Sequence, residues 1–323
     1  MIVIDTQTHY VPPAALDELV ALRARGIAWP TGLKPATRVE DPMCGLDARL
    51  RQMDACGIDV SVLSFAPVDA TTLGPAAAGL CRIANRGLIE ACRAHPDRFV
   101  MLASLPMHPE AALAELERLL AEPALRGVLL VAQTGLYRAE EAGIEKVLAR
   151  AAGEGLAVVL HPSAGSSDLG DAFRGFGLES ALQAMVSHAL VASRMILSGM
   201  LDRLPALDLI LTHLGGVLPF LIERLDSRAV GARHPMGHYL RDRLHYDMCG
   251  HAPGPALECA LRALGSDRMM IGSDWPSRPL ESALGSARGA GLAPDALSAV
   301  LGGTAARWFD PRIQRRTAPP STT

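Results

Sequence analysis

The sequence lacks four features that each define a class of protein. No apolar run approaches the roughly eighteen residues that a membrane span needs, and no export signal precedes the first strand. The six cysteines are scattered without a Cys-x-x-Cys pair, which indicates buried free thiols in a reducing cytoplasm rather than a disulfide framework or a thiolate metal site. A formal net charge of -3 leaves no basic surplus, so we expect neither a nucleic-acid nor a membrane partner.

The composition that remains is that of a globular chain. Hydrophobic residues make up 49% of the 323 residues and charged residues 20%, which is enough for one large core. We predict a single domain over residues 1–310. Residues 26–45, which have no clear period, are predicted to form an insert or lid loop after the first strand. The polar residues 311–323 are predicted to be a disordered tail.

Short apolar segments alternate with segments of helical periodicity along the chain. This alternation predicts an α/β fold with parallel, buried strands. The predicted strands are Met1–His9, Ile58–Phe65, Arg98–Leu105, Arg126–Ala132, Leu156–His161, Leu207–His213, Leu244–Cys249 and Arg268–Asp274. Eight such units predict a closed (β/α)8 barrel, the TIM barrel. A doubly wound open sheet is the alternative, and the lack of a Gly-x-Gly-x-x-Gly motif after the first strand disfavours it.

Four of these strands end in side chains that can bind a metal or move a proton. The first carries Gln7 and His9 on one face, and the fifth, sixth and eighth end at His161, His213 and Asp274. In a barrel of this kind the carboxyl ends of the strands form the active site, so these side chains should converge. Imidazole and carboxylate groups are the usual ligands of zinc besides thiolate, and a catalytic zinc takes three protein ligands. We predict His9, His161 and Asp274 as those ligands, with Gln7 as a weak fourth.

Four motifs carry these residues: Asp5-Thr-Gln-Thr-His9, Leu160-His-Pro162, Thr212-His-Leu-Gly-Gly216 and Ile271-Gly-Ser-Asp-Trp-Pro276. In order and spacing they resemble the signature of the amidohydrolase superfamily. The branch that they resemble includes aminocarboxymuconate-semialdehyde decarboxylase and the non-oxidative aromatic-acid decarboxylases. The resemblance runs from Met1 to about Asp310. It implies a metal held by residues 7, 9, 161 and 274, and an acid–base or substrate-polarising role for His213.

Gln7 is where the chain departs from the family. Most members have a histidine there, and the aromatic-acid decarboxylases of this branch often have a glutamate. The resemblance implies one divalent metal, zinc or alternatively manganese. We expect this metal to be weakly held or absent, because an amide oxygen is a poorer donor than either alternative. The fourth strand, Arg126–Ala132, offers no lysine for carbamylation, so a binuclear centre is not expected.

Residues beyond the ligand set complete the sequence-based prediction. Trp275 and Arg278 follow Asp274 on the active face and are predicted to bind substrate, since an arginine can hold a carboxylate with two parallel donors. His234, His238 and His245 are expected on a solvated connection between strands.

The leading functional hypothesis is a metal-dependent decarboxylase of a small unsaturated or aromatic carboxylic acid. The metal would act as a Lewis acid, and His213 or Asp274 would be the catalytic acid that protonates the carbon. The alternative is hydrolysis of a lactone or amide, which Gln7 would allow without a metal. A non-catalytic binding barrel is the third hypothesis. A homodimer through Ala181–Met200 is an open expectation.

Overall fold

The computed structural model of the protein describes residues 1–27, 43–65, 70–132, 138–140, 143–162, 171–173, 176–228 and 231–313. Most of the predicted insert at 26–45 and all but three residues of the predicted tail at 311–323 lie outside these ranges. Both therefore stay predictions.

The predicted barrel is confirmed. One sheet contains eight strands in the order β1 to β8, and each strand pairs in parallel with the next. The strands are β1 Ile4–His9, β2 Val60–Ser64, β3 Phe99–Ser104, β4 Leu125–Ala132, β5 Ala157–Pro162, β6 Leu209–Leu211, β7 Leu244–Asp247 and β8 Met269–Met270. Thr6 N–H donates to the Ile271 carbonyl at 3.0 Å and Asp274 N–H donates to the Gln7 carbonyl at 2.9 Å. These bonds join the last strand to the first and close the sheet.

Helices surround the barrel and follow each strand. They are α1 Pro13–Ala24, α2 Leu46–Cys56, α3 Ala77–Ala94, α4 Pro109–Leu119, α5 Glu145–Gly153, α6 Ala184–Leu197, α7 Met200–Arg203, α8 Leu218–Asp226, α9 Met236–Asp242, α10 Pro255–Leu264, α11 Leu280–Arg288, α12 Pro294–Ser298 and α13 Thr304–Phe309. Proline begins α1, α4 and α10, where a missing N–H leaves no helical bond unmade. The main core lies between these helices and the outer face of the strands.

A smaller core fills the inside of the barrel. Val62, Leu102 and Val159 contribute branched side chains from three strands, and Trp308 and Phe309 of α13 pack among them. Trp308 Nε1 donates to Asp208, just before β6. Helix α13 therefore plugs the barrel at the end where the strands begin, which leaves the opposite end for the polar side chains.

The first strand departs from simple alternation. Alternation predicts that Ile4 faces the helices and that Gln7 and His9 face the interior. Ile4 instead belongs to the inner core, and the register of β1 against β2 shifts between Asp5 and Thr8. Such a shift lets two residues on one strand oppose one on its neighbour, which changes the face that later side chains occupy. Both Ile4 and Gln7 can then face inward.

One described segment, Glu179–Leu197, is long and apolar enough to cross a membrane by length and composition. Half of this segment is buried inside the protein, where α6 packs on β5. Core helices of barrels share this composition, so the segment is weak evidence for a membrane span.

Candidate active site

Side chains from β1, β5 and the residues after β8 meet at the carboxyl end of the barrel. His9, His161 and Asp274 place ligand atoms within 4.8 Å of one another. The Nε2 atom of His9 lies 2.9 Å from Asp274 Oδ1, and that of His161 lies 3.9 Å from the same oxygen. Atoms bound to one ion by bonds of ~2.1 Å lie roughly 3 Å apart or a little more, so this spacing suits a divalent ion.

The hydrogen bonds on the far side of each imidazole determine which ring nitrogen is protonated. The Ser64 hydroxyl donates to the Thr8 carbonyl at 2.9 Å, so its oxygen accepts from His9 Nδ1–H at 3.1 Å. His161 Nδ1–H donates to the Pro162 carbonyl at 2.6 Å. Both Nε2 atoms therefore turn a lone pair toward Asp274. This is the tautomer that metal-bound histidines adopt, and two lone-pair atoms 2.9 Å apart need a cation between them.

Gln7 contributes a polar end to the same point. One end of its amide lies 2.8 Å from His161 Nε2 and 3.2 Å from His213 Nε2, and the other end faces Asp247. When the amide nitrogen of Gln7 points toward Asp247, it donates to Asp247 Oδ2 at 2.7 Å. The amide oxygen then lies beside the Nε2 atoms of His161 and His213. In this orientation the fourth predicted ligand presents the atom that can bind a metal. The donors therefore fit the divalent ion that the sequence motifs imply.

Burial and neighbouring donors set the protonation of these groups. Burial alone would raise the pKa of Asp274, but its contacts with the His161 and His9 rings hold that pKa below its ordinary value. Burial lowers the pKa of His9, and burial together with the neighbouring His161 lowers the pKa of His213 to about 3. Asp274 is thus an ionised carboxylate beside the neutral rings of His9 and His213, which is the form in which these groups bind a metal.

His213 follows β6 in a tight turn, His213–Gly215, and its backbone has a φ of 51°. Its N–H donates to Asp247 Oδ1 at 2.8 Å. A Cβ on Gly216 would lie 2.5 Å from the Met185 carbonyl of α6, so only glycine allows this close approach. A non-glycine residue in the left-handed region is held there by its surroundings, which is common at functional sites. The two glycines after His213 thus position its ring.

Asp274 is held in the same manner. Its φ is 61°, and the preceding Ser273 donates from its hydroxyl to Asp5 Oδ2 at 2.6 Å. Ser273 N–H donates to Asp5 Oδ1 at 2.9 Å. Asp5 is fully buried, and burial raises its pKa to about 6. Asp5 therefore anchors the turn that presents Asp274.

The two predicted substrate-binding residues lie in different surroundings. Trp275 is buried in the outer core, and its carbonyl accepts from His9 N–H at 2.8 Å. Arg278 is exposed and lines a cavity of about 310 Å³ together with His251 and Ser286. A Cβ on Gly250 would lie 3.3 Å from His213 Nδ1 and 3.8 Å from Arg278 Nε, so this cavity adjoins His213. The contacts of Trp275 and Arg278 with substrate stay predictions.

Three further residues near the site were not predicted. Asp247 ends β7, and its Oδ1 also accepts from Cys249 N–H at 3.0 Å. Burial raises the pKa of Asp247 to about 8, although the hydrogen bonds from the His213 and Cys249 N–H groups lower it. Arg49 of α2 is fully buried and donates to the His9 carbonyl. Alternation along Leu244–Cys249 was the available signal for Asp247 and Cys249. Nothing in the sequence marks Arg49 apart from its place on a helix.

His245 corrects another prediction. It was expected on a solvated connection, but it is 4% exposed and its ring lies 4.9 Å from that of Trp308. It precedes Asp247 by two residues, so the strand turns both side chains to the barrel interior.

Comparisons with known proteins agree with this geometry. Residues 4–310 match the amidohydrolase family. A gamma-resorcylate decarboxylase of Rhizobium radiobacter is 30% identical over 271 residues, or 73% of this chain and 78% of that protein. The 5-carboxyvanillate decarboxylase of Sphingomonas paucimobilis has a TM-score of 0.81 at 27% identity, covering 95% of this chain and 98% of that chain. A 5-carboxyvanillate decarboxylase of Novosphingobium aromaticivorans, solved with manganese, has a TM-score of 0.83 at 23% identity, covering 95% and 96%.

An eight-stranded barrel with two histidines and an aspartate converging at its carboxyl end defines a barrel enzyme with a metal-type site. The chain belongs to the amidohydrolase superfamily, and its relatives place it in the decarboxylase branch that the motifs indicated. The predicted enzyme class, a decarboxylase and therefore a carbon–carbon lyase, is confirmed. The group of His9, His161 and Asp274 is a candidate site for the expected divalent metal.

Proposed function

We propose that the protein removes carbon dioxide from a small aromatic carboxylic acid that carries a hydroxyl group beside the carboxylate. The observation that carries this proposal is the convergence of lone pairs from His9, His161 and Asp274. The relatives named above act on a resorcylate and a carboxyvanillate, which supports an aromatic substrate. These relatives also favour decarboxylation over the hydrolytic alternative.

Four residues would hold the ion: Gln7 through its amide oxygen, His9 and His161 through Nε2, and Asp274 through its carboxylate. A bound divalent ion would supply a Lewis acid to the acidic end of the substrate. Arg278, at the edge of the cavity beside His213, would provide a second, cationic contact for an acidic group of the substrate.

His213 is the residue that we assign to proton transfer. When the bond to the carboxyl carbon breaks, carbon dioxide leaves and the electron pair stays on the ring carbon, which must take up a proton. Because the His213 ring is neutral in the free site, it would first take this proton from the acidic substrate or from solvent and then pass it to the carbon. His213 Nε2 faces the ligand group, 3.2 Å from the Gln7 amide. Its backbone is fixed by Asp247, so its ring approaches the substrate from one direction. Asp274 is held ionised and is the weaker candidate for the acid.

The identity of the metal, the location and the assembly of the protein are further proposals. Two imidazoles suit zinc, whereas the carboxylate and amide oxygens suit manganese, so we propose either ion for the catalytic site.

None of the six cysteines, all of which lie in the described ranges, forms a disulfide, which supports a cytoplasmic location. An apolar groove between α6 and α8 supports a homodimer.

The test is a comparison of the metal-free protein with protein loaded with zinc or with manganese. Each form is incubated with a panel of ortho-hydroxybenzoates, and released carbon dioxide and the decarboxylated ring are both quantified. We expect product only with a loaded form. Ring cleavage or hydrolysis without carbon dioxide would reject the proposal, and so would equal rates with and without metal.

A further inference from the structure

A second group of ligand-type side chains lies beside the first and shares one member with it. Ligand atoms of His213, Cys249 and Asp274 lie within 4.8 Å of one another. Cys249 is 1% exposed, so its sulfur belongs to the interior of the site and not to the surface. Imidazole, thiolate and carboxylate are the three donor types that zinc takes in proteins, and three protein ligands leave a position for water.

The fold holds the two unshared members of this group together. Oδ1 of Asp247 accepts hydrogen bonds from the backbone N–H groups of both His213, at 2.8 Å, and Cys249, at 3.0 Å. A single buried oxygen therefore fixes the turn after β6 against the end of β7. The next residue, Gly250, has a φ of 80°, and a Cβ there would press on His213 Nδ1. This region of the chain is thus built to keep the imidazole and the thiol side by side.

The two groups differ in the softness of their donors. The group around His9 and His161 offers nitrogen and oxygen atoms, which suit zinc and manganese alike. The group around Cys249 adds a sulfur, which favours zinc and cadmium and disfavours manganese. A thiolate-containing position also differs from a lysine-bridged binuclear centre, for which β4 has no lysine.

We propose that His213, Cys249 and Asp274 form a second metal site that takes zinc or cadmium but not manganese, and that filling it withdraws His213 from catalysis. On binding, the thiol of Cys249 gives its proton to solvent and its sulfur bonds to the ion. The inference rests on the proposed function in two respects, because Asp274 is shared with the catalytic ion and His213 is the proposed proton donor. A cell with excess free zinc would thereby inhibit an enzyme whose catalytic site is already loaded.

The first test is metal binding itself. Manganese-loaded and metal-free proteins are titrated with cadmium while thiolate-to-cadmium charge-transfer absorbance and bound metal are measured. We expect the metal-free protein to bind two cadmium ions and to develop the charge-transfer band. Cys249→Ser should lose one ion and the band, whereas the matched control Cys259→Ser in α10 should keep both. A band that persists in Cys249→Ser would overturn the proposal.

A second measurement on the unaltered chain covers the case in which Cys249→Ser does not fold. Cadmium NMR separates ions with a sulfur ligand from ions with only nitrogen and oxygen ligands. We expect one resonance of each kind. A single resonance of the nitrogen–oxygen kind would overturn the second site and leave the catalytic site intact. The absence of both resonances would overturn the second site and would also reject the proposed catalytic ion.

Discussion

At the scale of single residues, Gln7 would decide how the proposed catalytic ion is held. Its amide oxygen can reach the group around His161 only when its nitrogen turns toward Asp247, where a carboxylate oxygen waits at 2.7 Å. The contact of the amide nitrogen with Asp247 therefore favours the contact of the amide oxygen with His161, and the reverse also holds. An amide oxygen is neutral and a weaker donor than imidazole, so the arrangement supplies correct geometry with less affinity.

We predict that Gln7→His increases metal affinity. Protein purified without chelator would be compared with wild type by elemental mass spectrometry and by competition with a chromophoric chelator. We expect about one ion per chain in both, with at least about tenfold tighter binding in Gln7→His, in line with the effect of a changed ligand environment. Unchanged affinity in Gln7→His would show that residue 7 is not a ligand.

The imidazole of His213 is the second residue for which the site makes a sharp prediction. His213→Ala should lower turnover by about 10²–10⁴-fold, the usual contribution of a positioned acid or base. Binding of the first metal should change little, because His9, His161 and Asp274 remain. The two readouts are steady-state rate and bound manganese. Turnover close to that of wild type would exclude His213 as the acid.

At the scale of elements, the turn after β7 restrains the site through one glycine. Gly250 has a φ of 80°, and a Cβ there would lie 3.3 Å from His213 Nδ1. Gly250→Ala should cost about 1–2 kcal/mol of unfolding free energy through its backbone conformation. It should also lower turnover, because the methyl group displaces the His213 ring.

The matched control is Gly79→Ala in α3, where a Cβ meets nothing within 4 Å and φ is not left-handed. That change should raise stability by up to about 1 kcal/mol and leave turnover unchanged. Chemical denaturation and rate measurements on both variants make the comparison. Full activity in Gly250→Ala would mean that the ring tolerates displacement.

Helix α4 carries a buried carboxylate whose ionisation should make stability depend on pH. Burial by itself would raise the pKa of Glu115, but hydrogen bonds from Arg118 and Asn85 hold it below 4.5. Asn85 Nδ2 of α3 donates to Glu115 at 2.8 Å and to the Ser104 carbonyl at 2.9 Å, so the carboxylate of α4 is joined to β3 through Asn85. The ionised form is therefore the one that the fold stabilises.

A group whose pKa is lower in the folded state adds stability above the pKa of the unfolded state and loses it as pH falls through the folded value. We expect Glu115→Gln to lower the melting temperature at neutral pH and this difference to shrink below about pH 4.5. Thermal unfolding across the acid range measures it. The exposed Glu110→Gln in the same helix is the control. A difference that stays constant with pH would contradict the assignment.

Elements also show how far sequence alone could reach. All eight strands and the convergence of His9, His161 and Asp274 could be predicted from strands that end in polar residues, since a parallel barrel buries both strand faces. Asp247 and Cys249 were missed because their importance comes from contacts with His213 of another strand. The prediction that Ile4 faces the helices was wrong, because a register shift arises from the pairing of two strands and cannot be read from one strand alone.

At the scale of the whole molecule, an exposed apolar surface carries the prediction of assembly. Phe220 of α8 is 80% exposed and Leu182, just before α6, is 43% exposed. Helices α6 and α8 also line the apolar groove. Large apolar side chains at one surface mark a contact. We expect a dimer by sedimentation velocity, and Phe220→Glu should shift it to monomer. Arg228→Glu, outside the groove, is the control, and a wild-type monomer would contradict the prediction.

The closure of the barrel determines when the candidate site forms during synthesis of the chain. Gln7 and Asp274 meet across 267 positions of sequence, and the hydrogen bonds that seal β1 to β8 come from the same two stretches. During synthesis on the ribosome, the candidate site therefore stays incomplete until Asp274 has been translated. The ion would then bind late, after β8 has closed on β1, and a bound ion would indicate that the barrel has closed.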